Sequence, residues 1–427
     1  MSVVSNRPES KKIARVLGVF VIAAMVLSMS GVVFGKDKKI RSAPMEGKDD
    51  RPKVTFRNIM EGLDLSKFVW PNPPAITRIK YLNYWSGEKL ETQPQKKKTS
   101  WMERVSGVAT GGAQADFKPR WQLVVPNGIA VDSKGKVYIA DSKVRAIFIV
   151  DVETGKYEMI KNGQDARFQW PTGLAMDDSD RLFAADSGMK RVLVFGADRK
   201  IEGVIDKGLA APAGLAIDNE NRLLYVADPE QDQVIVFDAD PPFKKIRAMG
   251  TPGKAHTLTS VGDFSKPIGV AVDQDSNLYV TDTWNNRVEV FDADGNFIRA
   301  WGKAGDGPGY FARPKGIAID SDGHIWVADA VQERVQVFTP EGRLLIWMGG
   351  DGLLPGSFQA LTNVAIDANN RVFTTEQFPG RLQVFRYRTD EEARAEKEQR
   401  DKELKKKAEE RAMANKAASE KAEEPSK

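Results

Sequence analysis

The chain has 427 residues, of which 41% are hydrophobic and 29% charged, with 63 Lys and Arg against 59 Asp and Glu; that balance suits a protein with a sizeable core and excludes disordered and fibrous classes. No cysteine is present, which removes disulfides, thiol nucleophiles, zinc-thiolate centres and lipid attachment through cysteine. The formal charge of +4 is uneven: residues 1–120 carry 22 basic and 11 acidic groups and residues 121–388 carry 30 and 36, so the body is mildly acidic and a poor match for nucleic acid, whose affinity comes from neutralised phosphates.

In chain order, Lys11, Lys12 and Arg15 precede the uncharged apolar run Val16–Phe34, which ends at Gly35. Basic head, apolar middle and small residue are the parts of a secretory signal, and the run is nearly long enough to span a bilayer's apolar core. Residues 1–35 are therefore read as a signal peptide or, if uncleaved, a membrane anchor, which places the remainder outside the cytoplasm, in a periplasm or at a cell surface. Residues 36–74 are rich in Lys, Asp and Pro and read as a polar linker. Residues 75–86 contain the strand-like Arg78-Ile-Lys-Tyr-Leu-Asn-Tyr-Trp85. After an exposed loop at Lys96–Lys98, Ser100-Trp-Met-Glu103 fits a capping box opening a short helix.

The phrases Pro126-Asn-Gly-Ile-Ala-Val-Asp132, Pro171-Thr-Gly-Leu-Ala-Met-Asp177 and Pro212-Ala-Gly-Leu-Ala-Ile-Asp218 are one repeating unit. It returns as Pro267-Ile-Gly-Val-Ala-Val-Asp273, Pro314-Lys-Gly-Ile-Ala-Ile-Asp320 and the looser Leu361-Thr-Asn-Val-Ala-Ile-Asp367, at intervals of 45, 41, 55, 47 and 47 residues. A period in the forties corresponds to one propeller blade per repeat. Within a unit, Gly269–Asp273, Asn277–Asp282, Arg287–Asp292 and Phe297–Trp301 are short β-branched runs separated by turn residues. The expected fold is all-β, a six-bladed β-propeller over 75–388. The sixth unit holds only three strands, so 75–86 is expected to supply the fourth and close the ring. The 55-residue interval carries an insertion containing His256. The tail 389–427 is charged throughout, with carboxylate-to-base pairs such as Glu396/Arg400 and Glu403/Lys407, and is expected as a solvated helix or disordered segment.

The unit Pro-x-Gly-Ile-Ala-Val-Asp, followed by Leu-Tyr-Val-Thr-Asp-Thr-Trp-Asn-Asn-Arg-Val-Glu-Val-Phe-Asp and Asp-Gly-Asn-Phe-Ile-Arg-Ala-Trp-Gly, resembles the NHL repeat, over about 126–388 plus the closing strand. The resemblance implies the propeller fold and a platform for a ligand, protein or RNA, in some members an enzyme. Ubiquitin-ligase members carry a zinc-bound RING module, which a chain without cysteine cannot build. The amidating-lyase branch surrounds zinc with several histidines, whereas this chain has His256 and His324 alone. More distant six-bladed lactonases hold calcium at the axis through oxygen ligands.

The aspartates at 132, 177, 218, 273, 320 and 367 repeat with the architecture and are expected to cap turns. Asp186/Arg191, Asp282/Arg287, Asp329/Arg334 and Glu376/Arg381 are expected to brace hairpins as ion pairs. The first and third units have Ala146 and Gln233 in the arginine place, leaving Asp141 and Asp228 with no evident local partner. Departures from the repeat on a fixed scaffold point to function. The candidate binding face is thus formed by the second-to-third-strand loops and the residues between Pro and Gly: Asn127, Lys143, Arg145, Thr172, Lys190, Gln231, Trp284, Asn285, Lys315, Gln332 and Phe378. Aromatic and arginine side chains suit a protein interface. The expectation is an extracytoplasmic scaffold for a protein or peptide, with no catalytic residue, metal ligand, nucleic acid or obligate oligomer. The alternative is a calcium-dependent lactonase or esterase, in which an axial metal polarises a carbonyl; calcium is the one cofactor left open, although the residues between Pro and Gly include Lys315 and no carboxylate.

Overall fold

The structure is a computed structural model that describes residues 62–87, 121–163, 165–251 and 260–422, without the side chains of 416–422. The apolar run at 16–34, most of the linker, Lys96–Lys98, the capping box at 100–103 and His256 lie outside the described residues. Among the described residues no helix is long and apolar enough to cross a membrane.

Six antiparallel sheets form the ring. The first four-stranded blade comprises Pro126–Val131, Val137–Asp141, Ala146–Val150 and Tyr157–Ile160. The fourth comprises Pro267–Val272, Leu278–Asp282, Arg287–Phe291 and Phe297–Trp301, within two residues of the bounds expected from sequence. The two middle strands of each blade are buried on both faces, as in Val137–Asp141 and Leu182–Asp186, whereas outer strands such as Phe297–Trp301 are largely exposed. Strands this short and apolar hold together because each sheet packs both faces on its neighbours. The hydrophobic core accordingly divides into six clusters, one per junction between adjacent blades.

The sixth blade is completed from the N-terminal side. Ile79–Trp85 pairs antiparallel with Arg381–Tyr387, from Ile79 opposite Tyr387 to Trp85 opposite Leu382, with a register shift between Tyr81 and Asn83. That shift turns the strand over. Ile79 and Tyr81 enter the core between blades five and six, and Trp85 enters the core between blades six and one. The stretch 62–74, read as part of the linker, is instead folded onto the ring. Asp64 caps a short 3-10 turn at Leu65–Lys67, and Val69–Trp70 adds a fifth strand beside Ile79–Trp85. The physical reason is aromatic: Phe68 packs on Tyr81 and Trp70 on Phe385, with ring centroids 6.4 and 5.9 Å apart.

After Tyr387 the chain enters one helix, Asp390–Ala422, of 33 residues. Its N-terminus has the reciprocal bonds of a capping box, Glu392 N to Thr389 Oγ1 at 3.3 Å and Thr389 N to Glu392 Oε2 at 3.1 Å. Carboxylates in the first turns meet cations of the closing strands: Arg78 with Asp390 at 2.5 Å, Lys80 with Glu396 at 2.9 Å and Arg386 with Glu392 at 2.9 Å. Beyond that base the helix is exposed along its described length.

Candidate functional site: one face and the central channel

The pairing of Pro126 with Asp141, Pro171 with Asp186, Pro267 with Asp282, Pro314 with Asp329 and Leu361 with Glu376 puts the start of each inner strand and the second-to-third-strand loop at the same face of the ring. The connectors from one blade to the next return to that face as well. Here exposed large apolar side chains gather among exposed Lys143, Arg145, Arg167 and Lys190. Phe378 is 68% exposed, Trp284 54% and Trp170 47%, and Val124, Val261, Tyr310, Val331 and Leu354 join them. Among the described residues, the remaining exposed large hydrophobic side chains lie on outer strands or the C-terminal helix, and none lies in the turns of the opposite face. That opposite face carries the Asp-x-Asp turns at 273–275, 292–294 and 320–322. Apolar surface concentrated on one face marks an interaction site in a way that scattered residues do not.

A channel of about 630 Å³ runs between the six inner strands. Near the apolar face its wall includes Asn127, Thr172, Ala213, Ile268, Lys315 and Thr362, and towards the other mouth Asp132, Asp177, Asp180 and Asp367. The inner strands approach closely at the glycine level. A Cβ on Gly173 would lie under 3.0 Å from the carbonyl oxygen of Ala213, and one on Gly269 equally close to that of Lys315. Hydroxyls stitch adjacent blades there: Ser142 to Pro171 O at 2.8 Å, Thr172 to Pro212 O at 2.9 Å, Thr283 to Pro314 O at 2.8 Å and Thr362 to Pro126 O at 3.0 Å.

The residues singled out by sequence fall into three groups. Lys143, Arg145, Lys190, Trp284 and Phe378 are exposed on the apolar face. Asn127, Thr172 and Lys315 line the channel. Gln231, Asn285 and Gln332 are anchored inward. Asn285 is buried and donates to Asp282 Oδ2 at 2.7 Å. Gln231 donates to Gly208 O at 3.0 Å and Gln332 to Gly305 O at 2.6 Å, holding the incoming connectors.

The carboxylates without an evident partner are in fact well supplied. Asp141 accepts from the amides of Val124, Val125, Lys143 and Val144 at 2.6 to 3.0 Å. Asp228 takes those of Ala210 and Ala211 together with the Gln231 side chain. Most of those amides lie 16–18 residues upstream, so local reading could not find them. The arginine pairing holds at Asp282–Arg287, 2.9 Å, and Glu376–Arg381. Arg191 and Arg334 reach instead to the carbonyls of Arg167 and Asp306, at 2.7 and 3.1 Å. The six repeated aspartates do cap turns, as Asp273 does for Asp275 N and Asn277 N at 3.0 and 2.8 Å. His324 meets Asp320 and Tyr387 at 3.2 and 3.1 Å, and Asp320 raises its pKa.

One buried position alternates between amide and acid. Gln336 accepts from Gly309 N at 2.8 Å and donates to Tyr310 O at 2.8 Å, and Gln383 accepts from Gly356 N at 3.0 Å and donates to Ser357 O at 2.9 Å. Glu289 takes the same place in blade four, accepting from Gly262 N at 2.9 Å and pairing with Arg287 at 2.5 Å. Burial pushes its pKa from 4.5 up to about 7. The folded state therefore holds the proton more tightly than the unfolded one, and the protein loses stability as pH rises from 4.5 to about 7. For this group the full loss is on the order of 3 kcal/mol. Glu289→Gln is expected to remove that share of the pH dependence, measured by urea unfolding at pH 5 and pH 8; an unchanged difference between the two would refute the assignment.

Comparison with known proteins agrees with this geometry. A family profile described as a 6-bladed beta-propeller matches residues 266–342, and an NHL repeat profile matches 168–195. NHL repeat-containing protein 2 of Homo sapiens is 30% identical over 104 residues, 23% of this chain and 14% of that protein. Its Bos taurus namesake is 26% identical over 176 residues, 39% of this chain and 20% of that one. The chain spans a fifth or less of the length of the curated relatives it matches. A solved Bacteroides thetaiotaomicron protein of unknown function superposes with a TM-score of 0.52 at 15% identity, over 62% of this chain and 70% of that one, a likeness of fold alone. The chain carries NHL repeats and folds as a six-bladed β-propeller.

Proposed function

We propose that this propeller is a binding scaffold that holds a protein or peptide partner on its apolar face. The observation that carries the reading is the one-sided exposure of Trp170, Trp284, Val331, Phe378 and their neighbours around the channel mouth, with Lys143, Arg145 and Lys190 between them. Aromatic side chains and arginine are enriched at protein interfaces, while lysines such as Lys143 and Lys190 suit the polar rim. Trp284 is also stacked under Arg313, whose guanidinium carbon lies 5.6 Å from the ring centroid, which keeps the indole in place for a partner. The basic head and apolar run before residue 36 support a site of action outside the cytoplasm. The hydrolase reading lacks a comparable observation: among the described residues no group of three or more His, Asp or Glu could hold a metal ion.

The test is site-directed photo-crosslinking in the native membrane and envelope fraction. A photoreactive residue at 284 or 378 should yield one discrete adduct, which the double variant Trp170→Ser, Phe378→Ser, carrying the photoreactive residue at 284, should weaken about tenfold or more. Equal labelling from 297 or 345 on the outer strands, or no adduct from the face, would reject the proposal.

A further inference from the structure

Two departures from the repeat meet in the channel wall. Between the first residue of the unit and its glycine position, the six units carry Asn127, Thr172, Ala213, Ile268, Lys315 and Thr362, and Lys315 is the one charged side chain. At the glycine position five units have Gly and the sixth has Asn363. The strands Pro314–Ile319 and Leu361–Ile366 are neighbours across the junction of blades five and six. A Cβ on Gly316 would lie under 3.0 Å from Asn363 Oδ1, so the Asn363 side chain lies against the residue that follows Lys315. Both residues line the same channel.

Neither side chain has its donors spent. Among the described residues Lys315 has no carboxylate or carbonyl partner. Burial, and then the positive charge of Arg313, push its pKa down, the condition of an ammonium group that lacks an anion. Glu333, whose charge it feels, has both oxygens committed to the amides of Ala360 and Leu361 at 2.7 and 2.9 Å. Asn363 Oδ1 accepts from Val364 N at 2.9 Å, and its amide nitrogen has no acceptor among the described residues. The Thr172 and Thr362 hydroxyls, by contrast, are engaged with the carbonyls of Pro212 and Pro126.

We propose that Lys315 and Asn363 form a binding site for a carboxylate inside the central channel. One positive charge and one further N–H donor match a monoanion with two oxygens. A phosphate dianion would bring an unmatched charge between walls that include Ala213 and Ile268, facing a far mouth that carries Asp132, Asp177 and Asp180. The carboxylate arrives as a free organic acid or as the C-terminal end of a peptide, and the channel has room for either.

Isothermal titration of the full chain distinguishes the sources, using hexanoate, acetyl-Ala-Ala-Leu with a free carboxylate, and the same peptide as its C-terminal amide. Saturable one-to-one binding of hexanoate or of the peptide acid is expected, with the tighter of the two naming the source. Lys315→Met should weaken it at least tenfold and Asn363→Gly several-fold, and the amide should not bind. Asn363→Gly restores the residue the other five units hold, so it should fold, and a cooperative melt within about 4 °C of the parent separates lost binding from a folding defect. Affinity unchanged within twofold in both variants, equal binding of the amide, or no saturation by either acid up to about 10 mM overturns the proposal.

Discussion

A chain shortened to begin at residue 88 should fail to unfold cooperatively and should elute as aggregate, because it lacks the strand that closes the ring. Among the described residues Ile79–Trp85 is the one partner of Arg381–Tyr387 on that side, and its removal leaves a long apolar strand edge open to other chains. The damage reaches further than one blade. Ile79 at 0% and Tyr81 at 3% exposure belong to the core between blades five and six, and Trp85 at 7% to the core between blades six and one, so two of six junctions lose buried side chains together. A milder form is Tyr81→Ala, which removes the edge-to-face contact with Phe385 at 5.2 Å and should cost about 3–5 kcal/mol. Calorimetry and size exclusion check both variants. A shortened chain that melts at the parent temperature as a monomer would show that the ring does not depend on this closure.

Gly173→Ala should cost about 4 kcal/mol, above the 1–3 kcal/mol usual for overpacking. The obstacle is backbone rather than a side-chain tip: the new methyl meets the carbonyl of Ala213 and the Cα of Gly214 on the next inner strand. That strand is held in turn, with Gly214 N bonded to Ile268 O at 2.9 Å, so relief in one place pushes on the following junction. Gly155→Ala is the control. Its φ is +69° with open space around the site, so it carries only the cost of a left-handed backbone, about 1 kcal/mol. Equal chemical-denaturation midpoints for the two variants would contradict a channel wall set by backbone contact.

Much of the fold was legible because a repeat states the same local instruction six times. Pro-x-Gly strand starts and Asp-led turns recur in register, and the incomplete sixth unit pointed to the apolar alternation at 79–85 as its missing strand. The turn at Leu65–Lys67 and the strand at Val69–Trp70 escaped because Phe68 and Trp70 sit among Pro, Lys and Asp with no period to follow. Long-range partners were harder. Asp141 and Asp228 looked unpartnered because the amides they hold come from a connector far upstream, and Asn285, Gln231 and Gln332 looked exposed until those connectors were in place. The one-sided surface was legible in part: Trp284 and Phe378 were expected on that face, whereas Trp170 and Val331 are single apolar residues in separate loops that join them only once the ring closes. Asn363 did leave a trace, in the looser wording of the sixth unit.

The pairing of Ile79 with Tyr387 also sets how the ring answers to force. The entering end of the closing strand and the leaving end of the last strand lie side by side, so once Val69–Trp70 has peeled from its partner, tension between Arg78 and the C-terminal helix loads one hydrogen-bonded pair at a time, as a zipper is opened, and not all pairs at once in shear. A seam loaded in this way parts at low force. The ion pairs Arg78–Asp390, Lys80–Glu396 and Arg386–Glu392 are placed at that end of the seam, where they act as its clasp, and because surface charges are screened the mechanical strength of the ring falls as ionic strength rises.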